Sequence, residues 1–160
     1  MHRSIGLLFF LLSLQGCGED ARTPHQVQAR YSHASGLIVT DGSGKSQQLI
    51  AETLDARPVV ASSGQWIAVE DMRMSSLVVV RLFCYQNGAY EEVTLPEIRQ
   101  HWEALARDSG IAFEDLLRPR VAIESFGPAE ETLLLSFRAD TEGGREIDSM
   151  LEIVLARKGD

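Results

Sequence analysis

Cysteine, lysine and histidine are scarce in this chain of 160 residues. Cysteine occurs only at Cys17 and Cys84, which excludes the dense disulfide framework of many small secreted domains. Lysine occurs only at Lys45 and Lys158, and the four histidines form no pair with the spacing of a zinc site. The sequence therefore predicts a protein that is not an enzyme and needs neither a metal nor a cofactor.

Positive charge is also in short supply. Lys and Arg number 15 against 23 Asp and Glu, which gives a formal net charge of −8 at pH 7. Proteins that bind nucleic acid neutralise its phosphates with Lys and Arg, and an acidic chain repels them instead. We therefore expect no nucleic-acid partner, whereas a basic protein surface remains a suitable one.

The apolar run near the N-terminus is too short to cross a bilayer. Residues 5–14 provide about ten apolar positions, whereas a spanning helix needs about 20. The run follows Arg3 and leads into small residues, which is the arrangement of a cleavable export signal. It ends in Leu14-Gln15-Gly16-Cys17, a sequence that resembles the lipobox of bacterial lipoproteins.

The lipobox resemblance implies a processed and lipid-anchored N-terminus. In that family the signal, here residues 1–16, is removed, and the cysteine, here Cys17, carries acyl chains such as palmitate that anchor the protein stably. Gly18 stands where an Asp would retain a lipoprotein in the inner membrane, so the resemblance implies the periplasmic face of the outer membrane. Residues 17–30 are polar and predict a lipidated tether, and residues 31–160 predict a single domain.

Alternating apolar runs and polar turns predict a β-rich domain. Asn87-Gly88 between two apolar runs is a strong hairpin signal. The segment 95–118 predicts a helical insert, because Ile98, Trp102 and Leu105 recur on one helical face. We therefore expect a mainly β fold of the α+β class. Its antiparallel meanders form a small sheet or sandwich, and one amphipathic helix packs on it.

Two parts of this domain resemble each other and resemble propeller blades. Residues 62–71 (Ser-Ser-Gly-Gln-Trp-Ile-Ala-Val-Glu-Asp) and residues 127–137 each place a turn before an apolar strand. The halves that contain them, about 36–94 and 121–157, are similar to blades of WD40-like and TolB-type propellers. A closed propeller has at least about four blades, so two blade-like halves predict an open sheet or a sandwich instead.

Two polar segments between predicted strands, 71–76 and 139–148, are candidate recognition loops. Loops on a rigid sheet commonly carry binding residues, and Arg and Met are enriched at interfaces. The candidate partner-binding residues are Met72, Arg73, Met74, Asp140, Glu142 and Asp148. The acidic side chains of the second segment also leave open a calcium site, since calcium takes oxygen ligands.

These features favour a periplasm-facing lipoprotein that binds another protein without catalysis. In size and β-rich pattern the chain is similar to small periplasmic immunity proteins of type VI secretion, which implies inhibition of a secreted toxin. The TolB-type resemblance implies a different role, as an accessory subunit of an envelope assembly. A third hypothesis is an envelope hydrolase that uses two of the acidic residues.

Lipidation at Cys17 can be tested by metabolic labelling. Cells grown with labelled palmitate should incorporate the label into the wild-type protein, and Cys17→Ser should remove it because the thiol starts the lipid attachment. Cys84→Ser is the matched control and should keep the label. An unlabelled wild-type protein in the soluble fraction would contradict the lipoprotein interpretation.

Overall fold

A computed structural model describes residues 26–75 and 77–155 of the chain. These residues form ten strands and one α-helix, α1, at Pro96–Asp108. The strands are β1 (Gln28–Ser32), β2 (Gly36–Thr40), β3 (Ser46–Ile50), β4 (Asp55–Val60), β5 (Trp66–Met74), β6 (Leu77–Gln86), β7 (Ala89–Val93), β8 (Leu117–Phe126), β9 (Thr132–Asp140) and β10 (Glu146–Val154). The expected signal, Cys17 and the first part of the tether lie outside the described residues.

The strands form three antiparallel sheets. The N-terminal sheet has the order β1-β2-β3, the central sheet β4-β5-β6-β7 and the C-terminal sheet β10-β9-β8. The expected mainly β fold of antiparallel meanders with a helical insertion is therefore confirmed. The division into two blade-like halves differs from the structure, because residues 36–94 are shared between two sheets. The chain leaves the first sheet after Ile50 and starts the second at Asp55.

Strand β5 is apolar on both faces, and this places the central sheet between the other two. Ile67 and Val69 belong to a first core shared with the N-terminal sheet. Trp66 and Ala68 belong to a second core shared with the C-terminal sheet. Because side chains alternate along a strand, neighbouring residues of β5 enter different cores. The molecule is therefore built in three layers.

Helix α1 packs into the second core. Trp102 and Ala106 are buried there, and the Trp102 ring meets the Phe137 ring of β9 edge-on at a centroid distance of 4.9 Å. Ile98 and Leu105 are half-buried against the same core. The helical insert is shorter than 95–118: a 3-10 turn follows the helix, and β8 already begins at Leu117.

The hairpin predicted at Asn87-Gly88 is confirmed between β6 and β7. Both residues have positive φ, 51° at Asn87 and 81° at Gly88, as a two-residue type I′ turn requires. Asn tolerates this left-handed region better than other side chains, and Gly adopts it without strain.

The segments predicted as long loops are mostly strand, so both loop predictions were wrong. Strand β5 extends through Met74, and β9 and β10 leave only a five-residue turn between Asp140 and Glu146. The prediction failed because the polar residues of β9 and β10 lie on the outward face of these strands. Ala139 and Ile147 alternate with them and are buried on the inward face.

The tether boundary at residue 30 was also placed too late. Strand β1 begins at Gln28 and pairs with β2, so residues 28–30 belong to the domain. Ala29 and Tyr31 pack against the first core, although their polar neighbours made this segment look unstructured. Among the described residues, no helix is long and apolar enough to span a membrane.

The contact between α1 and β9 can be tested with Trp102→Ala. This substitution should lower the free energy of unfolding by about 3–5 kcal/mol, because it removes a buried aromatic ring and leaves a cavity. Gln100→Ala, at an exposed position of the same helix, should change it by less than about 0.5 kcal/mol. Urea unfolding measures both, and a loss below about 1 kcal/mol for Trp102→Ala would contradict its role in the core.

Candidate functional site

Strands β5 and β8 run in opposite directions where the central and C-terminal sheets meet. Near the middle of both strands, the backbone N–H of Ile123 donates to Glu70 Oε1 at 2.8 Å. Beyond the end of β8, the backbone N–H of Ser63, just before β5, donates to Glu130 Oε1 at 2.7 Å. The start of β8 therefore lies at the same end of the molecule as the turn between β5 and β6.

That end of the molecule carries a group of exposed apolar side chains, and we call it the apolar end. The N–H of Leu54 donates to the carbonyl oxygen of Met72 at 2.9 Å, which places the loop before β4 there. Leu117 pairs with Asp140, which places the β9–β10 hairpin there as well. The exposed apolar side chains of the apolar end are Leu54, Met74, Leu77, Val79, Phe113 and Leu117.

Most of the large apolar side chains that are exposed in the described part of the chain lie at the apolar end. Of the eight large apolar side chains that are exposed among the described residues, six belong to the apolar end. Met74 is 62% exposed and Leu54 53%. Single exposed apolar residues are ordinary on protein surfaces, whereas a concentration of them marks a surface that contacts a partner. The apolar end is therefore a candidate protein-binding surface.

The first group of predicted binding residues lies at the end of β5. Met72 is half-buried, and the Arg73 side chain forms contacts within the protein. Its Nη1 donates to the carbonyl oxygen of Glu52 at 2.5 Å, and its Nε lies 3.5 Å from Asp71 Oδ2. Of the three predicted residues, Met74 is the one that presents a large, well-exposed side chain.

The acidic members of the prediction are divided between two surfaces. At the apolar end, Asp140 Oδ2 lies 3.0 Å from Arg118 Nη2, and Glu142 is exposed in the adjacent hairpin turn. Asp148 lies on β10 and points away from the second core. The structure therefore brings Met74, Asp140 and Glu142 to one end and leaves Asp148 on another surface.

The β9–β10 turn is closed by its own backbone. The N–H of Thr141 donates to the carbonyl oxygen of Arg145 at 3.0 Å, and the N–H of Gly144 donates to that of Thr141 at 2.9 Å. Within residues 26–75 and 77–155, no group of three or more His, Cys, Asp or Glu side chains could hold a metal ion. The calcium hypothesis is thus left without a ligand set in this part of the chain.

A buried carboxylate lies beneath the apolar end, in the first residue of the segment predicted as a loop. Asp71 is fully buried, and its Oδ2 lies 3.5 Å from Arg73 Nε and 3.5 Å from Arg81 Nη1. Its Oδ1 has no hydrogen-bond partner among the described residues. Arg81 also donates to Glu92, from Nε at 2.8 Å and from Nη2 at 2.5 Å, and these bonds hold the pKa of Glu92 below its usual range.

This network connects three neighbouring strands of the central sheet. Asp71 is on β5, Arg81 on β6 and Glu92 on β7, so the charged groups run diagonally across the sheet on the side of the first core. The guanidinium of Arg81 compensates part of the cost of burying Asp71. The network therefore connects the strands of the sheet from which the β5–β6 turn projects.

A second surface is a concavity on the outer face of the C-terminal sheet, which we call the open groove. It has a volume of about 480 Å³. The outward-pointing side chains that line it are Arg120, Ala122, Glu124, Ser136, Arg138, Asp148 and Met150. Register places Arg120 directly opposite Arg138, and Arg138 directly opposite Asp148. The next row consists of Ala122, Ser136 and Met150.

No family model, no curated protein and no solved structure matches this chain. We therefore infer function from the apolar end and the open groove. The sequence pattern indicated Met74 and Asp148 as binding residues, but it did not indicate Leu117 or the two arginines of the groove. Arg120 and Arg138 are 18 positions apart, so no local pattern signals that they are neighbours. The weak local signal is that each arginine borders a mostly apolar segment, 121–123 after Arg120 and 133–137 before Arg138.

The Asp71 network can be tested by removing one side of it. Arg81→Met should destabilise the protein by about 3 kcal/mol, because it leaves a buried carboxylate with a weaker partner. Arg107→Met, which removes an arginine from an exposed ion pair, should cost less than about 1 kcal/mol. The double variant Asp71→Val, Arg81→Met should recover part of the loss. Equal unfolding free energies for the two single variants would show that the network contributes little.

Proposed function

We propose that this protein is a lipid-anchored protein of the outer membrane, facing the periplasm, that binds another protein without catalysis. The observation that supports the proposal is the concentration of exposed apolar side chains at the apolar end. Burial of such side chains in an interface removes apolar area from water and favours association. An immunity or inhibitor protein that blocks a secreted toxin is the version we favour.

The scaffold beneath the apolar end is suited to recognition. The candidate contact residues Met74, Leu77 and Leu117 lie at the ends of paired strands, where the backbone is held by its neighbours. Rigid presentation lowers the conformational entropy that a contact surface loses on binding. The Asp71 network lies directly below and adds polar contacts among β5, β6 and β7. These features favour a preorganised surface.

Charge at the apolar end favours a partner with basic groups. Glu142 is exposed and forms no ion pair among the described residues, whereas Asp140 already has Arg118. An unpaired acidic residue at the rim of an apolar patch speeds association with a basic partner through long-range attraction. The net charge of −8 acts in the same direction.

The lipid anchor gives the proposed binding its location. A protein held at the periplasmic face of the membrane meets partners that enter or work in the periplasm. An immunity protein must act there against a toxin delivered to the cell wall or membrane. Deletion of the gene should then sensitise cells to a neighbouring producer strain, whereas loss of an assembly subunit would weaken the envelope of cells grown alone.

The apolar end can be tested by charge insertion at the β5–β6 turn. The partner is first captured by chemical cross-linking of the detergent-solubilised lipoprotein and identified. The variant Met74→Asp, Leu77→Asp should then weaken its binding by about tenfold or more, because it places two charges at the centre of an apolar contact. Surface-immobilised kinetics measures the change.

The matched control is Arg30→Glu, at an exposed position of the N-terminal sheet, which should leave binding unchanged. Equal affinities for the wild type and the Met74→Asp, Leu77→Asp variant would exclude the apolar end as the interface. Degradation of peptidoglycan or lipid by the purified protein, with loss on replacement of a single carboxylate, would replace the proposal with the hydrolase hypothesis.

A further inference from the structure

Within residues 26–75 and 77–155, the three-layer fold leaves two sheet faces uncovered, and these two faces differ in chemistry. On the outer face of the N-terminal sheet, polar side chains satisfy one another. The hydroxyl groups of Thr40 and Ser46 are hydrogen-bonded at 2.8 Å, and Gln48 Nε2 donates to the carbonyl oxygen of Ser35 at 2.7 Å. That face has the composition of an ordinary solvated surface and provides an internal reference for the other.

On the outer face of the C-terminal sheet Ser136 Oγ donates to Glu124 Oε1 at 2.5 Å, but not every charged group there has such a partner. Arg138 Nε lies 3.6 Å from Glu146 Oε1, but Arg120 and Asp148 form no ion pair among the described residues. Arg120 is directly opposite Arg138. The charge of Arg138 is offset by Glu146 and by Asp148, which lies directly opposite it on its other side, whereas Arg120 has no acidic residue opposite it. A carboxylate supplied from outside would give Arg120 the ion-pair partner that it lacks among the described residues.

The open groove also offers apolar area next to these arginines. Met150 is 52% exposed, and it lies in the same row as Ala122. Val154, farther along β10, is 76% exposed. The apolar area next to the arginines therefore consists of Met150 and Ala122, and the exposed Glu152 separates it from Val154. A ligand that fits this surface carries a negative group and an apolar group side by side.

We propose that the open groove is a second docking site, and that its occupant is a protein partner presenting a carboxylate beside an apolar side chain. The carboxylate accepts paired hydrogen bonds from the Arg120 guanidinium, a geometry that arginine forms readily. The apolar side chain packs on Met150. The inference goes beyond the proposed function, because it assigns a separate surface and an acidic contact rather than a basic one.

The shape of the open groove fits a protein better than a small molecule. Small-molecule sites enclose most of their ligand's surface. This groove lies on a sheet face and is open to solvent along the three strands β8, β9 and β10. A convex element of a folded partner can fill such a trough while its remainder stays outside.

The test uses the full-length, lipidated protein in living cells. A photo-cross-linking amino acid, p-benzoylphenylalanine, replaces Met150, and the same amino acid at Gln48 on the N-terminal sheet is the matched control position. After irradiation we expect a protein adduct from position 150 whose cross-linked peptide contains Asp or Glu. Position 48 should give at least about tenfold less of it.

The charge requirement is tested in the same cells. Arg120→Glu should reduce the adduct at position 150 by about tenfold or more, and Arg120→Lys should retain part of it, since charge persists without the paired geometry. Arg30→Glu should have no effect. Replacing the partner's cross-linked Asp or Glu with Lys should restore the adduct of the Arg120→Glu protein.

A folding defect is excluded by measuring the melting temperature. Arg120→Glu should leave it unchanged or raise it, because a like-charge pair becomes an opposite-charge pair with Arg138. Three results would overturn the proposal. They are the absence of an adduct at position 150, an adduct with lipid, peptidoglycan or a second copy of this chain, and an adduct that Arg120→Glu does not reduce. Loss of partner binding in the Met74→Asp, Leu77→Asp variant tests the apolar end separately.

Discussion

The need to cover both faces of β5 organises the whole molecule. A strand with apolar side chains on one face requires one packing layer, whereas β5 requires two. Ile67 and Val69 are kept from water by the N-terminal sheet, and Trp66 and Ala68 by the C-terminal sheet with α1. Removing either outer layer would expose a core of the central sheet, so we expect the three layers to unfold together.

The same constraint explains why charge is concentrated where it is. The end of β5 leaves the apolar part of the first core, and Asp71 lies there, fully buried, with one oxygen that has no hydrogen-bond partner in the part of the chain that the structure describes. A buried carboxylate costs free energy unless positive charge compensates for it. Arg81 does so from the neighbouring strand and is itself oriented by Glu92. The charged network therefore lies beneath the apolar end, and we expect single substitutions in it to affect both stability and the position of the β5–β6 turn.

Features decided by neighbouring residues could be predicted from the sequence. Asn87-Gly88 is a turn because both residues adopt positive φ. Trp102 is buried because it forms one apolar helix face with Ile98 and Leu105, and this face packs on the core. Features decided by pairing between distant strands could not. The burial of Ala139 and Ile147 within polar sequence depends on which side of the C-terminal sheet they occupy.

The binding surfaces illustrate the same limit. Met74 could be selected as a candidate from composition alone, and it is well exposed. The juxtaposition of Arg120 and Arg138 depends on the register between β8 and β9, including a bulge after Leu117. Shifting that register by one residue would place one arginine on each side of the sheet. No property of either residue's own segment indicates this register.

The point where the chain enters the domain has a consequence for how the protein stands on a membrane. Gln28, the first residue of β1, pairs with Thr40 beside the β2–β3 turn, and Lys45 of that turn donates to the carbonyl oxygen of Gly88. Gly88 is in the β6–β7 turn, at the opposite end of β6 from Leu77. The lipid tether that we propose would thus join the domain at the end remote from the apolar one. The length of β5, about 30 Å at 3.3 Å per residue, separates the two ends. With the proposed anchor, the polar turns would lie nearest the bilayer, and the side chains of the apolar end would lie farthest from it, where a partner could reach them.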